Sequence, residues 1–186
     1  MPRKPAPWFR VGSSPLPDSY GRVTNPARYA VLHEETRSLI ESLVSTYDVI
    51  SEPGDVGLDF PEWKGSTGEV VRLAPTRGVP LAFLFTDFPG VLVRLGEWGV
   101  EPFPICGCDA CDEKPNDEID RIREVIASAV AGEYEETLTR VWLRRGWLSV
   151  TGPGTRSGSR RLGPGEGRRL AQPGSHKWPP WPQRSD

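Results

Sequence analysis

Between Glu69 and Trp98 three runs of strand-forming residues follow one another with only turn-length spacers. Glu69-Val-Val-Arg-Leu-Ala, Leu81-Ala-Phe-Leu-Phe-Thr and Val91-Leu-Val-Arg-Leu-Gly-Glu-Trp98 are separated by Thr76-Arg-Gly-Val-Pro and Asp87-Phe-Pro-Gly90. Spacers this short cannot carry the crossover that a parallel pair needs, so the runs must pair as an antiparallel meander. The middle run is almost wholly apolar, the pattern of a central strand. Pro89-Gly90 predicts a turn with glycine at positive φ. That turn type does not match hairpin twist, so a corner wider than two residues is expected. Upstream, Tyr47-Asp-Val-Ile-Ser adds a further strand. Pro53 to Thr67 reads as a loop whose Phe60, Pro61 and Trp63 fold back on the core.

Helical signals flank the meander. Asn25 suits a cap and Pro26 the first helical position. Tyr29, Leu32, Thr36, Leu39, Ile40, Leu43, Val44 and Tyr47 then recur at spacings of three and four, which predicts one helix over 26–47. His33 lies beside that stripe and reads as a partly buried structural histidine. Asn116 or Asp117 can cap a second helix. Ile119, Ile122, Ile126 and Ala129 mark its buried face and Gly132 its end. Its carboxylates, Asp117, Glu118 and Asp120 among them, read as a solvated face favoured by the helix dipole. Glu135 to Leu143 and Trp147 to Thr151 predict one more hairpin around Gly146.

The expected fold class is therefore α+β: an antiparallel β-meander sheet covered on one face by two helices. Of 186 residues, 20 are glycine and 20 proline, while only 37% are hydrophobic, so part of the chain lies outside a packed core. The reading is an extended N-terminal arm over 1–24, a single domain over 25–152 and a Gly/Pro/Arg/Trp-rich C-terminal arm over 153–186. Net charge is −2, which gives no general pull toward nucleic acid or membrane. The stretch from Glu101 to Glu136 is acidic and the chain beyond Arg140 is basic. The tail, with Arg160, Arg161, Arg168, Arg169, Trp178 and Trp181, is thus expected to lie on its own domain rather than bind nucleic acid. No apolar run suits a signal peptide or a membrane span. No phosphate-cradling loop is present, and with only His33 and His176 no Ser/His/Asp arrangement is recognisable.

All three cysteines fall in Phe103-Pro-Ile-Cys106-Gly-Cys108-Asp-Ala-Cys111-Asp-Glu. An odd number in one tight cluster is not a disulfide framework, and the expectation is a cytoplasmic protein with reduced thiols. Gly107 permits the bend that turns two sulfurs toward one centre. Cys106, Cys108 and Cys111 are candidate zinc ligands, with Asp109, Asp112 or His33 as a candidate fourth and water as the alternative. Two other readings stand beside it: three small structural thiols, and a redox pair at Cys108 and Cys111. Flanking acids are expected to raise thiol pKa and blunt the redox reading.

Three runs carry a resemblance: Thr24-Asn-Pro-Ala-Arg-Tyr, Thr86-Asp-Phe-Pro-Gly-Val and the cysteine stretch itself. They resemble an uncharacterised family of small actinobacterial proteins with an FPxCGCDACDE motif, over about residue 20 to the Trp-Pro-Pro-Trp end. The resemblance implies a bacterial cytoplasmic protein and brings no catalytic residue or cofactor. The leading functional reading is a non-enzymatic interaction or scaffold domain with a structural Cys loop that can bind zinc. Its protein partner would meet the aromatics Trp98, Phe103 and the tail tryptophans. The competing class is a thiol- or zinc-dependent enzyme using the same cluster.

Overall fold

The computed structural model describes residues 20–63, 65–141, 145–151, 158–161 and 174–185. The first predicted helix is present but divided. Pro26–Tyr29 form a 3-10 turn, and α1 follows over Val31–Thr46. Pro26 begins the turn, yet the Asn25 side chain makes no capping hydrogen bond. Tyr29, Leu32, Thr36, Ile40 and Leu43 are buried, as the stripe requires.

The meander has five antiparallel strands in sequence order: β1 (Val49–Pro53), β2 (Gly68–Pro75), β3 (Leu81–Thr86), β4 (Val91–Leu95) and β5 (Gly99–Phe103). β3 is central and buried on both faces. Leu81, Phe83 and Phe85 join Val91, Val93 and Leu95 under the helices. Ala82 and Leu84 join Val70 and Leu92 on the opposite face, which Phe60 covers. The predicted run Val91–Trp98 stops at Leu95, and Gly96 turns the chain at φ +63° into β5. β5 escaped the sequence reading because Gly-Val-Glu-Pro-Phe places an acid and a proline where alternation would show. It is an edge strand, where a proline without an N–H is tolerated.

Two local expectations are corrected. The β3–β4 corner is wide, as expected, spanning Thr86 to Gly90 between paired Phe85 and Val91, but Gly90 is not at positive φ. The site uses its missing side chain instead: a Cβ there would lie 2.8 Å from the Phe103 carbonyl. The 53–67 loop holds a short helix, α2 (Val56–Asp59), and a 3-10 turn at Pro61–Trp63. Phe60 is fully buried, but Trp63 is 39% exposed and does not fold back on the core.

The second long helix, α3, runs Pro115–Val130. Its cap position is Lys114, so Asn116 and Asp117 lie inside the first turn rather than before it. Gly132 ends it as expected, at φ +76°, with Glu133 N–H donating back to the Ser128 carbonyl at 3.0 Å. Its carboxylates are not all solvated. Glu118 is buried and pairs with Arg121 at 2.7 Å, while Arg121 also faces Glu101 at 3.7 Å and lies over the Phe103 ring.

A second sheet takes the order β8-β7-β6-β9, with β6 (Glu135–Val141), β7 (Arg145–Thr151), β8 (Gly158–Arg161) and β9 (Gly174–Lys177). The β6–β7 hairpin matches the sequence reading; β8 and β9 were not foreseen. The sheets are joined through Glu136. Its buried carboxylate accepts from the backbone N–H groups of Glu97, Trp98 and Gly99 at 2.7, 3.0 and 3.0 Å. Past β9 the Trp-Pro end lies on its own chain. Trp181 is buried, with its backbone N–H on the Val130 carbonyl and its indole N–H on the Val79 carbonyl, both at 2.9 Å. Trp98 and Phe103 are buried as well, so of the aromatics read as a docking surface only the half-buried Trp178 reaches solvent. The burial follows from β5, which carries Phe103 inward and seats Trp98 in the turn before it. Trp8 and Phe9 lie outside the described residues. Among the described residues no helix is long and apolar enough to cross a membrane.

Candidate functional site

The cysteine loop leaves β5 through a cis Phe103–Pro104 bond and ends where α3 begins. Its bend depends on two left-handed residues, Gly107 at φ +72° and Asp112 at φ +47°. Gly107 cannot be replaced freely, because an added Cβ would stand 2.9 Å from the Phe88 ring. One carboxylate holds the bend from inside. Glu113 Oε2 accepts from the N–H groups of Cys106 and Gly107 at 3.1 and 3.3 Å.

This bend brings the three Sγ atoms within 4.8 Å of one another. Cys106 and Cys108 are 3.1 Å apart, sulfur to sulfur. Cys108 is buried and the other two are exposed. Four thiolates around zinc at about 2.3 Å would stand about 3.8 Å apart. The cluster is thus already near the size a metal needs and could hold an ion. Among the described residues no His, Asp or Glu atom joins the sulfurs.

The proposed fourth ligands sit elsewhere or have other partners. Asp109 accepts from Thr24 N–H at 3.0 Å and from the Thr24 hydroxyl, with Arg22 at 3.6 Å. Asp112 pairs with Lys114 and stands 3.9 Å from Arg28. His33 is half-buried, with Nε2 2.9 Å from the Gly90 carbonyl oxygen and its ring edge-on to Phe85.

The electrostatics differ from the sequence expectation. The flanking acids do not simply raise the thiols, because cations and N–H groups already neutralise them; Lys114 and then Arg28 hold Asp112 below the usual carboxylate range. Cys108 is lowered to about 6, first by the hydrogen bond from Cys106 and then by backbone donors at Cys111 and Gly21. Cys111 is pushed up to about 12, first by its hydrogen bonds with Cys106 and Cys108. The cluster therefore holds one ready thiolate beside a thiol that keeps its proton until something stronger displaces it.

Sequence reasoning missed the residues that wall this loop. Arg28 reaches the Gly107 carbonyl at 3.5 Å, and the Tyr29 hydroxyl donates to the Glu113 carbonyl at 2.9 Å. Phe88 packs between Tyr29, with ring centres 6.0 Å apart, and Gly107. The three runs that carried the resemblance therefore meet at one place, and their joint appearance was the available signal. Beside the loop lies a cavity of about 430 Å³ that shares Cys106 with the sulfur cluster and has Trp63, Phe88 and Asp87 in its walls. Nothing in the sequence pattern marked it.

The chain belongs to a family of unknown function, DUF6226, whose model matches residues 2–185. No curated protein and no solved structure matches it.

Proposed function

We propose that this protein is a zinc-binding domain without catalytic activity, in which Cys106, Cys108 and Cys111 supply three thiolates. The Cys loop acts as a structural knot that ties residues 22–29, the end of β5 and the start of α3. The observation that carries this reading is the mutual approach of the three sulfurs within 4.8 Å. Soft thiolates select zinc over hard cations such as magnesium or calcium. Asp109, Asp112 and His33 each have another partner, so a closed four-ligand knot requires one of them to exchange that partner for the metal. A reducing cytoplasm keeps the thiols available for metal, and the knotted domain serves as a scaffold for a protein partner.

A second reading has one observation in its favour. A three-thiolate site with an open position, beside a cavity that shares Cys106, is the arrangement of a Lewis-acid centre. The two readings separate on ligand exchange. Cobalt(II) titration should give intense thiolate-to-metal charge-transfer absorption at one equivalent, lost in Cys108→Ser. A structural knot gives a spectrum indifferent to added azide or cyanide, whereas an open catalytic site shifts on their addition. No charge-transfer band at all would end both.

A further inference from the structure

The cavity at the end of the sheet has a chemistry of its own. It is walled by the β3–β4 corner, the Gly65–Thr67 segment, the end of β5 and the first residues of the cysteine loop. Its volume of about 430 Å³ admits a small organic molecule, within the usual range of ligand sites. Two of its walls, Trp63 and Phe88, are large aromatics each 39% exposed, in a protein whose Trp98, Phe103 and Trp181 are buried.

The polar groups on the lining are mostly committed. The Thr67 hydroxyl donates to Asp87 Oδ2. The Thr86 hydroxyl donates to the carbonyls of Phe88 and Gly90. Asp87 is exposed and is the only charged side chain among the described lining residues. Its Oδ1 has no hydrogen-bond donor among those residues.

A polyhydroxylated ligand needs many unpaired donors and acceptors, and this cavity offers few. An anion would meet Asp87 with no described cation to balance it. A planar apolar ring can stack on Trp63 and Phe88, and a protonated amine finds both the carboxylate and the negative faces of those rings. We infer that the cavity bounded by Trp63, Phe88 and Asp87 is a binding site for a small amine that carries a planar apolar ring.

This inference stands apart from the metal reading, because none of the three groups is a sulfur ligand. The test uses the full-length protein with tryptamine as probe and indole-3-acetate as the same ring with opposite charge. Ligand-observed saturation-transfer NMR should show transfer to the tryptamine ring and little to indole-3-acetate. Amide shifts on titration should be confined to the cavity walls, at Trp63, 65–67, 86–92 and 103–106. Asp87→Asn should weaken tryptamine about threefold or more, in keeping with a partly exposed charge pair. Trp63→Ala should weaken it further through lost stacking, with amide shifts away from the cavity unchanged to show that the variant stays folded. Equal transfer to both probes, no transfer to tryptamine, or an Asp87→Asn variant that binds as wild type would each overturn the assignment. Zinc content measured on the same samples keeps the two proposals separate: tryptamine binding in metal-free protein leaves this site standing even if the metal centre fails.

Discussion

Glu136 offers a stringent test of how the two sheets are held together. Its carboxylate is fully buried and accepts from Glu97, Trp98 and Gly99 N–H, with the Tyr134 hydroxyl 3.2 Å from Oε2. Gln at this position keeps one acceptor oxygen. If that oxygen takes the Oε2 place, it retains Trp98, Gly99 and Tyr134, but the new NH₂ then faces the Glu97 N–H, donor against donor. One charge-assisted bond is lost and one buried donor is stranded, which costs about 2–3 kcal/mol. Removal of the buried charge offsets part of that, so Glu136→Gln should destabilise by about 2 kcal/mol at pH 7. Glu136→Ala leaves three N–H groups unpaired and should cost about 4 kcal/mol or more. The pH dependence has a definite sign. Burial raises the Glu136 carboxyl above its ordinary 4.5, against the pull of the backbone N–H groups. The folded state then binds the extra proton between 4.5 and the raised value. The associated stability is complete below 4.5 and is lost as pH climbs through that raised value. Gln has no such contribution, so the gap between wild type and Glu136→Gln should narrow with rising pH. Urea unfolding followed by tryptophan fluorescence between pH 4 and 8 would measure it. A Glu136→Gln variant within about 0.5 kcal/mol of wild type, or a gap that widens with pH, would refute the reasoning.

Other outcomes follow from the same geometry. Gly107→Ala should lose about 1–2 kcal/mol from the left-handed backbone alone and weaken metal binding, since its Cβ would push on Phe88; calorimetric melting with a parallel cobalt titration would check both. Because Cys111, held up at about 12, must surrender its proton to the metal, it alone should make zinc affinity fall about tenfold per pH unit across the neutral range, and the slope should steepen below about 6 as Cys108 also takes a proton; competition with a chromophoric chelator would measure it. Trp181→Ala should cost about 3–5 kcal/mol through loss of a buried aromatic and should speed amide exchange across β9, read by hydrogen–deuterium mass spectrometry.

Much of the fold was legible because it rests on periodicity. The run Leu81–Thr86 could only be a central strand, and the Tyr29-to-Leu43 stripe could only be a helix. What stayed hidden depends on partners distant in sequence. β5 looks like a loop because Glu101 turns inward toward Arg121, a residue of α3 that local pattern cannot supply. Glu118 was read as solvated for the same reason. β9 is a strand only because β6 offers it an edge, although Gly-Ser-His-Lys has little strand propensity. The sulfur cluster was visible from spacing alone, while its walls were not. Arg28, Tyr29 and Phe88 reach it from two other parts of the chain, and the cavity lies between the β3–β4 corner, the Gly65–Thr67 segment and the start of the cysteine loop.

The central claim is that three sulfurs share one metal. Elemental analysis of the full-length protein, purified without chelator under reducing conditions, addresses it most directly. The account predicts about one zinc per chain, falling to background when Cys106, Cys108 and Cys111 are replaced together by serine. Wild-type protein with metal at background, or a triple variant that retains it, would contradict the account.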